Sequence, residues 1–257
     1  EKRVKMIVDN TETIKKLKEM KKSLSQIKKN ALIFEPFWED FKLRFCWSSN
    51  AMEGNTLNLD ETVDIILYDE VKSGHTYKEY TEAKNLYRSS TEQIFSDKIT
   101  ITEDWLKKCN ALIMGNDGEY RTGDVYIGTL TEAIHYPTSF EKVQEEMDKL
   151  IKEINIETDS IEEVINKIAE FHIKFEHVHP FQDGNGRTGR MIINQQLINN
   201  DLLPIAIDKT SKYRQAFRAY DRNLDISILV HLICSAEMEA IERVNKLEQK
   251  QSSKNSN

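Results

Sequence analysis

The sequence is poor in the residues that interrupt regular backbone. Only 9 glycines and 4 prolines occur among its 257 residues, against about 12% for these two types in average domains. An all-β sandwich or barrel needs turn residues at close intervals, so the scarcity argues against such folds. Because 39% of the residues are hydrophobic, a chain of this length can bury a real core. We therefore expect a mostly helical, ordered protein.

Long apolar runs and paired cysteines are also lacking. No run approaches the ~18 residues that span a bilayer, and four of the first five residues are charged, unlike an apolar signal segment. We expect a cytoplasmic protein with no membrane partner. The cysteines Cys46, Cys109 and Cys234 are odd in number and lie in apolar helical patterns, which favours buried thiols over disulfides or zinc ligands.

Positive charge is concentrated at one end of the chain. Residues 1–30 carry a local charge of +6, although the whole chain carries −7. A basic segment can contact nucleic acid, but these lysines also fit the solvated face of an amphipathic helix with an apolar stripe. That stripe consists of Ile14, Leu17, Leu24 and Ile27. We favour a Lys-rich helical arm over residues 1–34, and nucleic acid is not an expected partner.

Start and stop signals divide much of the remaining chain into helices. Pro36 suits the first turn of a helix that ends at Gly54, and serine or threonine followed three residues later by glutamate marks further helix starts. Such capping boxes occur at Thr100, Thr138 and Ser160. The other predicted helices lie near residues 60–72, 77–95, 187–199, 209–222 and 226–249, before a disordered tail over 249–257.

One stretch breaks the helical pattern. Residues 120–128 and 133–136 are rich in β-branched and aromatic types and predict a hairpin. A lone hairpin is marginally stable unless it packs on helices or receives a further strand. We therefore expect this one to have a partner.

Three of the nine glycines fall within one short segment. Gly184, Gly186 and Gly189 lie in the run HPFQDGNGRTGR, residues 179–190, here called the Gly-rich loop. Glycine lets backbone approach a ligand closely, and amides at a helix N-terminus bind anions. Arg187 and Arg190, three residues apart, add cationic donors for phosphate.

Two further residues of the Gly-rich loop complete a chemical pattern. Asp183 would repel a bare anion, but it fits a Mg²⁺ ion that bridges a carboxylate to phosphates, so a nucleotide polyphosphate with Mg²⁺ is expected. His179 titrates near neutrality and can take a proton from an attacking hydroxyl. Each feature alone also occurs in purely structural roles. A zinc site at His172, His177 and His179 has weaker support, because the helical metal-binding spacing is absent.

The Gly-rich loop matches HPFx(D/E)GNGRxxR, the motif of the Fic (filamentation induced by cAMP) family, which this chain resembles. The resemblance continues through His172, Phe175, Val178, the predicted hairpin and Tyr213. It covers most of residues 35–245. It implies an all-α, Fic-type helical bundle with one β-hairpin flap, and a catalytic domain over residues 35–248.

The resemblance implies a protein adenylyltransferase, which moves AMP from ATP to a serine, threonine or tyrosine hydroxyl. His179 would be the general base, Asp183 the Mg²⁺ ligand, and Arg187 and Arg190 the donors to the outer phosphates. The resemblance also implies Gly184, Asn185 and Gly186 for the inner phosphates. It implies Tyr213, with Asn223 or Asp221, for the adenine side, and Val125, Tyr126 and Ile127 for the target-binding flap.

A second motif precedes the catalytic segment. Ser49 and Glu53, followed by Gly54, resemble the family's inhibitory motif (S/T)xxxE(G/N), although a plain helix cap is the simpler interpretation of the residues alone. The resemblance implies that Glu53 pairs with Arg190 and blocks productive ATP binding, from an inhibitory helix near residues 37–54. It leaves open whether Glu53 also supports removal of AMP from a target.

Other functions stay open at this point. A nucleotide-sensing module would bind ATP without transfer and would not need His179 as a base. Transfer of another phosphorylated group, such as phosphocholine, is the alternative within enzymes. The sequence names no target protein, and it leaves self-modification and homo-oligomer formation open.

Overall fold

The structure is a computed structural model that describes residues 7–22, 24, 30–70, 72–128, 133–135 and 137–254. Its helices are α1 (Thr11–Lys21), α2 (Ala31–Met52), α3 (Leu59–Tyr68), α4 (Tyr77–Gln93), α5 (Glu103–Met114), α6 (Val143–Ile151), α7 (Ile161–Val178), α8 (Asn185–Asn199), α9 (Thr210–Asn223) and α10 (Ser227–Lys254). A short 3₁₀ turn, Phe140–Lys142, leads directly into α6. The fold is helical, as the scarcity of glycine and proline predicts. None of the helices in these ranges is long and apolar enough to cross a membrane.

Helix α8 is the central element of the bundle. Of its 15 residues, 13 are buried, and it packs against α7, α5 and α2. Its buried polar side chains bond to the chain around them: Asn194 accepts from the Ile205 amide at 2.6 Å and Gln196 donates to the Ile154 carbonyl at 2.9 Å. The helix that follows the Gly-rich loop is therefore anchored on several sides.

Helix α2 carries an aromatic stripe into the core. Phe37, Phe41 and Phe45 are each at most 2% exposed, and successive rings along this helix lie within contact distance. Burial of such side chains contributes roughly 1.5–3 kcal/mol each. The stripe fixes α2 against α4, α8 and α10, so that the last turn of α2 faces the beginning of α8.

The amino-terminal segment packs on the helical body. Ile14, Leu17 and Leu24 are buried, as the apolar stripe predicts, while Ile27 lies outside the described residues. Helix α1 contacts α7 and α10. The predicted boundary between residues 34 and 35 coincides with no break, because α2 begins at Ala31, where the Asn30 side chain accepts from the Leu32 amide at 3.1 Å. Pro36 therefore lies inside α2 rather than in its first turn.

Several predicted helix ends differ from the observed ones. Ser160 caps α7 as predicted, but Thr102 rather than Thr100 caps α5, and α6 follows the 3₁₀ turn without a side-chain cap at Thr138. Residues 249–254 continue α10, so disorder does not begin at residue 249; residues 255–257 lie outside the description. All three cysteines are buried free thiols, as expected.

The predicted hairpin stretch is only partly extended. Residues 120–126 form no strand, and Ile127–Gly128 alone pairs, antiparallel, with Ala133–His135. The physical reason is that the Arg121 amide donates to the Pro180 carbonyl at 2.9 Å, so the stretch is tied to the end of α7. A target-binding flap remains a prediction.

Candidate functional site

The Gly-rich loop turns sharply between α7 and α8. His179 ends α7 in the left-handed region with φ 51°, and Gly184 precedes α8 with φ 79°. A Cβ atom on Gly184 would lie only 2.8 Å from the Met114 sulfur, so both the conformation and the space require glycine. Among the described residues no side chain caps α8. Its first amides are therefore available to an anion.

Two buried asparagines hold the Gly-rich loop in this shape. The Asn185 amide group donates to the Phe181 carbonyl at 2.8 Å and accepts from the Phe181 amide at 2.9 Å. Asn110, on α5, donates to the Asp183 carbonyl at 3.0 Å and to the Thr188 hydroxyl at 3.2 Å. The side chain of Asn185 is thus used within the Gly-rich loop, and the backbone amide of Asn185 is available to an anion. Sequence reasoning missed Asn110, whose only signal is a polar residue in an apolar helical stripe.

His179 is held in a form suited to accept a proton. Its Nδ1 lies 3.3 Å from the Glu176 carbonyl oxygen; a carbonyl cannot donate, so Nδ1 carries the proton and Nε2 is free. Burial lowers the pKa of His179 to about 4. The imidazole is therefore neutral at physiological pH.

Glu176 is an unpredicted titratable group beside His179. Its Oε2 lies 3.8 Å from Nδ1 of His179, and its Oε1 is buried without a hydrogen-bond partner among the described residues. Burial raises the pKa of Glu176 to about 8. At neutral pH this carboxyl group is mostly protonated and adds little negative charge to the site.

Arg190 is surrounded by groups from the last turn of α2. Its Nη2 donates to Glu53 Oε1 at 2.6 Å and to the Ser49 carbonyl at 2.9 Å, while Nε donates to the Ser49 hydroxyl at 2.8 Å. The Arg190 side chain is 4% exposed and that of Glu53 is 37% exposed. Burial alone would raise the pKa of Glu53, but the paired Arg190 outweighs it and the pKa is lowered. Glu53 is therefore ionised and bound to Arg190.

Tyr213 completes the surroundings of Arg190. Arg190 Nη1 donates to the Tyr213 hydroxyl at 3.3 Å, and the oxygen of this hydroxyl lies 2.6 Å from His172 Nε2. His177 instead lies 2.7 Å from Asp221, so the three histidines of the weaker zinc hypothesis have separate partners. Asn223 is exposed at the end of α9. A contact of Tyr213 or Asn223 with adenine remains a prediction.

Arg187 is also paired with carboxylates. Its Nη1 lies 3.4 Å from Glu82 Oε1, on α4, and its Nη2 lies 3.6 Å from Asp183 Oδ1. Asn55, just after the inhibitory motif, donates to Glu82 Oε2 at 3.0 Å. Sequence reasoning missed Glu82, which has no distinguishing local pattern.

Asp183 offers one carboxylate at the mouth of the Gly-rich loop. Its side chain is 62% exposed, and Oδ1 accepts from the Gly184 amide at 2.6 Å. Within the described ranges, no three histidine, cysteine or acidic side chains form a group that could hold a metal ion. A single exposed carboxylate instead fits a Mg²⁺ ion whose other ligands are phosphate and water oxygens.

The flap residues named from sequence lie a few residues after Arg121 in the chain. Val125 and Ile127 are half-buried, whereas the Tyr126 side chain is largely exposed, at 55%. Arg121 links this stretch to the loop, since its Nε donates to the His179 carbonyl at 2.9 Å. Sequence reasoning gave Arg121 no separate role.

Comparison with known proteins agrees with this geometry. The model of the Fic/DOC family matches residues 100–197, which include the Gly-rich loop. "Protein adenylyltransferase fic-1" of Caenorhabditis elegans is 28% identical over 211 residues, which is 77% of this chain and 40% of that protein. "Protein adenylyltransferase Fic" of Drosophila melanogaster is 30% identical over 176 residues, which is 65% of this chain and 35% of that protein. The chain thus spans about two-fifths or less of these relatives.

Solved structures share the fold. A Fic domain containing signaling protein from Bacteroides thetaiotaomicron superposes with a TM-score of 0.78 at 23% identity, covering 92% of this chain and 97% of that one. Fic-1 from Caenorhabditis elegans gives a TM-score of 0.74 at 20% identity, covering 93% and 72%. The motif, the family match and the shared fold agree: residues 100–197 contain a Fic domain, and the chain has the fold of Fic proteins.

Proposed function

We propose that this chain transfers AMP from ATP to a hydroxyl group of a protein. The observation that carries the proposal is the Gly-rich loop, in which the neutral, half-buried His179 ends α7 and the uncapped start of α8 follows with Arg187 and Arg190. The adenylyltransferase names of the curated relatives support it. The substrates are ATP and a target protein that the sequence does not name.

In the proposed reaction, the phosphates of ATP bind the first amides of α8, with Arg187 and Arg190 on the outer phosphates. Nε2 of His179 takes the proton of the target hydroxyl. The hydroxyl oxygen forms a bond to the α-phosphorus, and the bond between the α-phosphorus and the bridging oxygen breaks, so that pyrophosphate leaves. The arginines and amides stabilise the charge that develops on the phosphate oxygens.

Asp183 would hold Mg²⁺ in this proposal. When bound, the ion neutralises phosphate charge and fixes the geometry of the leaving pyrophosphate. The stretch around Val125, Tyr126 and Ile127 would act as the flap that pairs with an extended target segment. Strand Ile127–Gly128 pairs with a single described strand. Its other edge can therefore accept an extended target segment.

Autoinhibition by Glu53 is the regulatory part of the proposal. Its carboxylate neutralises Arg190 at 2.6 Å, and a phosphate would have to displace it. Ser49 orients the same guanidinium through its hydroxyl and carbonyl. ATP therefore binds productively only after the last turn of α2 moves or Glu53 is removed.

The test is transfer from α-labelled ATP with Mg²⁺ and a cell lysate. We expect Glu53→Gly to label protein more strongly than wild type, and the label to disappear in Glu53→Gly/His179→Ala. ATP binding should persist in that double variant, because His179 is needed only for proton transfer. A Glu53→Gly protein that binds ATP but labels nothing would instead indicate the nucleotide-sensing module. Labelling from γ-labelled ATP, with none from α-labelled ATP, would indicate transfer of a different group.

A further inference from the structure

The Arg121 side chain is buried and its hydrogen bonds go to main-chain carbonyls. Nε donates to the His179 carbonyl at 2.9 Å, Nη1 to the Gly123 carbonyl at 2.8 Å, and Nη2 to the carbonyls of Thr138 and Val178. The side chain is 0% exposed. A guanidinium group presents its N–H donors in a rigid planar fork, so these carbonyls are held in a fixed relative arrangement.

The carbonyls bound by Arg121 belong to three separate segments. Gly123 precedes the strand pair, Thr138 follows it, and Val178 with His179 forms the end of α7. Main-chain bonds join the same segments, because the Thr138 amide donates to the His177 carbonyl at 3.3 Å. One side chain therefore ties both ends of the strand-pair stretch, described over residues 124–128, 133–135 and 137, to the backbone of the general base.

Asp124 reinforces this connection from the surface. Its Oδ1 lies 3.6 Å from Arg121 Nη1 and accepts from the Phe140 amide at 2.8 Å. The exposed Asp124 connects the two ends of the strand-pair stretch at the protein surface, and the buried Arg121 connects them in the interior. Asp124 is 67% exposed, so it can be replaced without opening the core.

The His179 backbone needs such support. Its φ of 51° lies in the left-handed region, which costs a residue with a Cβ atom free energy. The carbonyl of this residue is the acceptor for Arg121 Nε. The phosphate-binding part of the Gly-rich loop is held independently, by Asn110 and Asn185.

We propose that Arg121 is a positioning residue that couples target-segment binding to His179, by fixing the strand-pair stretch at the distance from the imidazole that a target hydroxyl requires. The inference rests on the proposed function for its kinetic consequence. Loss of Arg121 should impair attack by a protein hydroxyl, because the strand-pair stretch must position the target segment. The same loss should affect ATP binding and attack by water far less.

The first experiment compares two reactions of one protein. In a Glu53→Gly background, we measure labelling of lysate proteins from α-labelled ATP and release of AMP into water for Arg121→Gln and Arg121→Lys. We expect Arg121→Gln to lower protein labelling at least tenfold relative to AMP release, and Arg121→Lys to recover part of it. Affinity for ATP should change less than twofold. Arg88→Gln, at an exposed ion pair with Glu92, is the matched control. Equal losses in labelling and AMP release would overturn the inference.

A second measurement does not depend on the proposed reaction. We expect Arg121→Gln, and more weakly Asp124→Asn, to speed hydrogen exchange of the amides in residues 122–128 and 138–140 at least tenfold, with residues 191–198 unchanged. Unchanged exchange in the first two segments would overturn the inference even if AMP transfer is confirmed. Faster exchange in a protein that labels no target would retain the coupling and reject the proposed reaction. If Arg121→Gln does not fold, Asp124→Asn supplies both readouts.

Discussion

The Glu53 carboxylate lies between the Arg190 guanidinium and the backbone of Gly186. Oε1 of Glu53 is 2.6 Å from Nη2 of Arg190, and a Cβ atom placed on Gly186 would collide with the same oxygen. The carboxylate therefore occupies the space directly over the first turn of α8, where amides and Arg190 would meet a phosphate. Inhibition and phosphate binding, as proposed, compete for one position.

Removal of the Glu53 charge should tighten ATP binding. A hydrogen bond to a charged group contributes roughly 1.5–3 kcal/mol, so releasing Arg190 from Glu53 predicts roughly 10- to 100-fold higher affinity. Glu53→Gly removes both the charge and the atoms that occupy this position. Titration calorimetry with MgATP measures the change.

Glu35→Gln is the control for this measurement, because Glu35 is exposed on the same helix α2. It should leave the affinity unchanged. Equal affinities of wild type and Glu53→Gly would show that the carboxylate does not compete with the nucleotide.

Addition of a methyl group at Gly186 tests the shared position directly. In a Glu53→Gly background, we expect Gly186→Ala to lower MgATP affinity at least tenfold, because the methyl group would take the space of a phosphate oxygen. The fold should tolerate the change, since alanine favours helix more than glycine does. Gly123→Ala is the matched control, as nothing lies within 4 Å of a Cβ atom there. Unaltered ATP binding in Gly186→Ala would place the phosphates elsewhere.

Asn110 should matter for both stability and ATP binding. Asn110→Leu leaves the Asp183 carbonyl and the Thr188 hydroxyl without their donor, which costs roughly 1–3 kcal/mol of unfolding free energy. The shape of the Gly-rich loop depends on these bonds, so ATP affinity should fall as well. Urea unfolding and calorimetry measure the two effects.

The control for Asn110 is Asn85, which donates to the Ile113 carbonyl at 3.2 Å rather than to a residue of the Gly-rich loop. We expect Asn85→Leu to reduce stability without reducing ATP affinity. If Asn110→Leu behaved in the same way, Asn110 would stabilise the bundle without shaping the site.

The sequence predicted those parts of the site that are close together in the chain. The Gly-rich loop and the helix that follows it depend on local backbone chemistry, and twelve consecutive residues carry the pattern. The pairing of Glu53 with Arg190, 137 residues apart, was predicted only through resemblance to a family motif. From the residues alone, a plain helix cap was the favoured interpretation of that place.

The parts that sequence reasoning missed depend on packing between distant segments. Asn110 is 73 residues from Asp183, and Glu82 reaches Arg187 from another helix. Neither Asn110 nor Glu82 stands out in the sequence of its own helix. Each reaches the site only through a contact with a residue distant in the chain. The hairpin is shorter than predicted for the same reason. Arg121 bonds to backbone at the end of α7, so residues near it do not extend the strand.

Glu176 should make stability depend on pH in a direction opposite to that of most carboxylates. Burial raises its pKa from 4.5 to about 8 in the folded protein, so between these values the folded state holds a proton that the unfolded state releases. Raising the pH through this range therefore destabilises the fold. Glu176→Gln cannot titrate, and its unfolding free energy relative to wild type should be higher at pH 9 than at pH 5. The difference should be on the order of 1 kcal/mol or more.

Urea unfolding at pH 5 and pH 9 measures this difference. The charged groups that act on Glu176 are Arg190 and Glu53, with His179 beside it, and all three remain in the variant. Glu170→Gln, at an exposed position on the same helix α7, is the control and should show no such pH dependence. A Glu176→Gln variant that parallels wild type at both pH values would mean that the carboxyl group is ionised in the folded protein. In that case Glu176 would carry a negative charge beside His179, and the neutral surroundings argued for the base would be wrong.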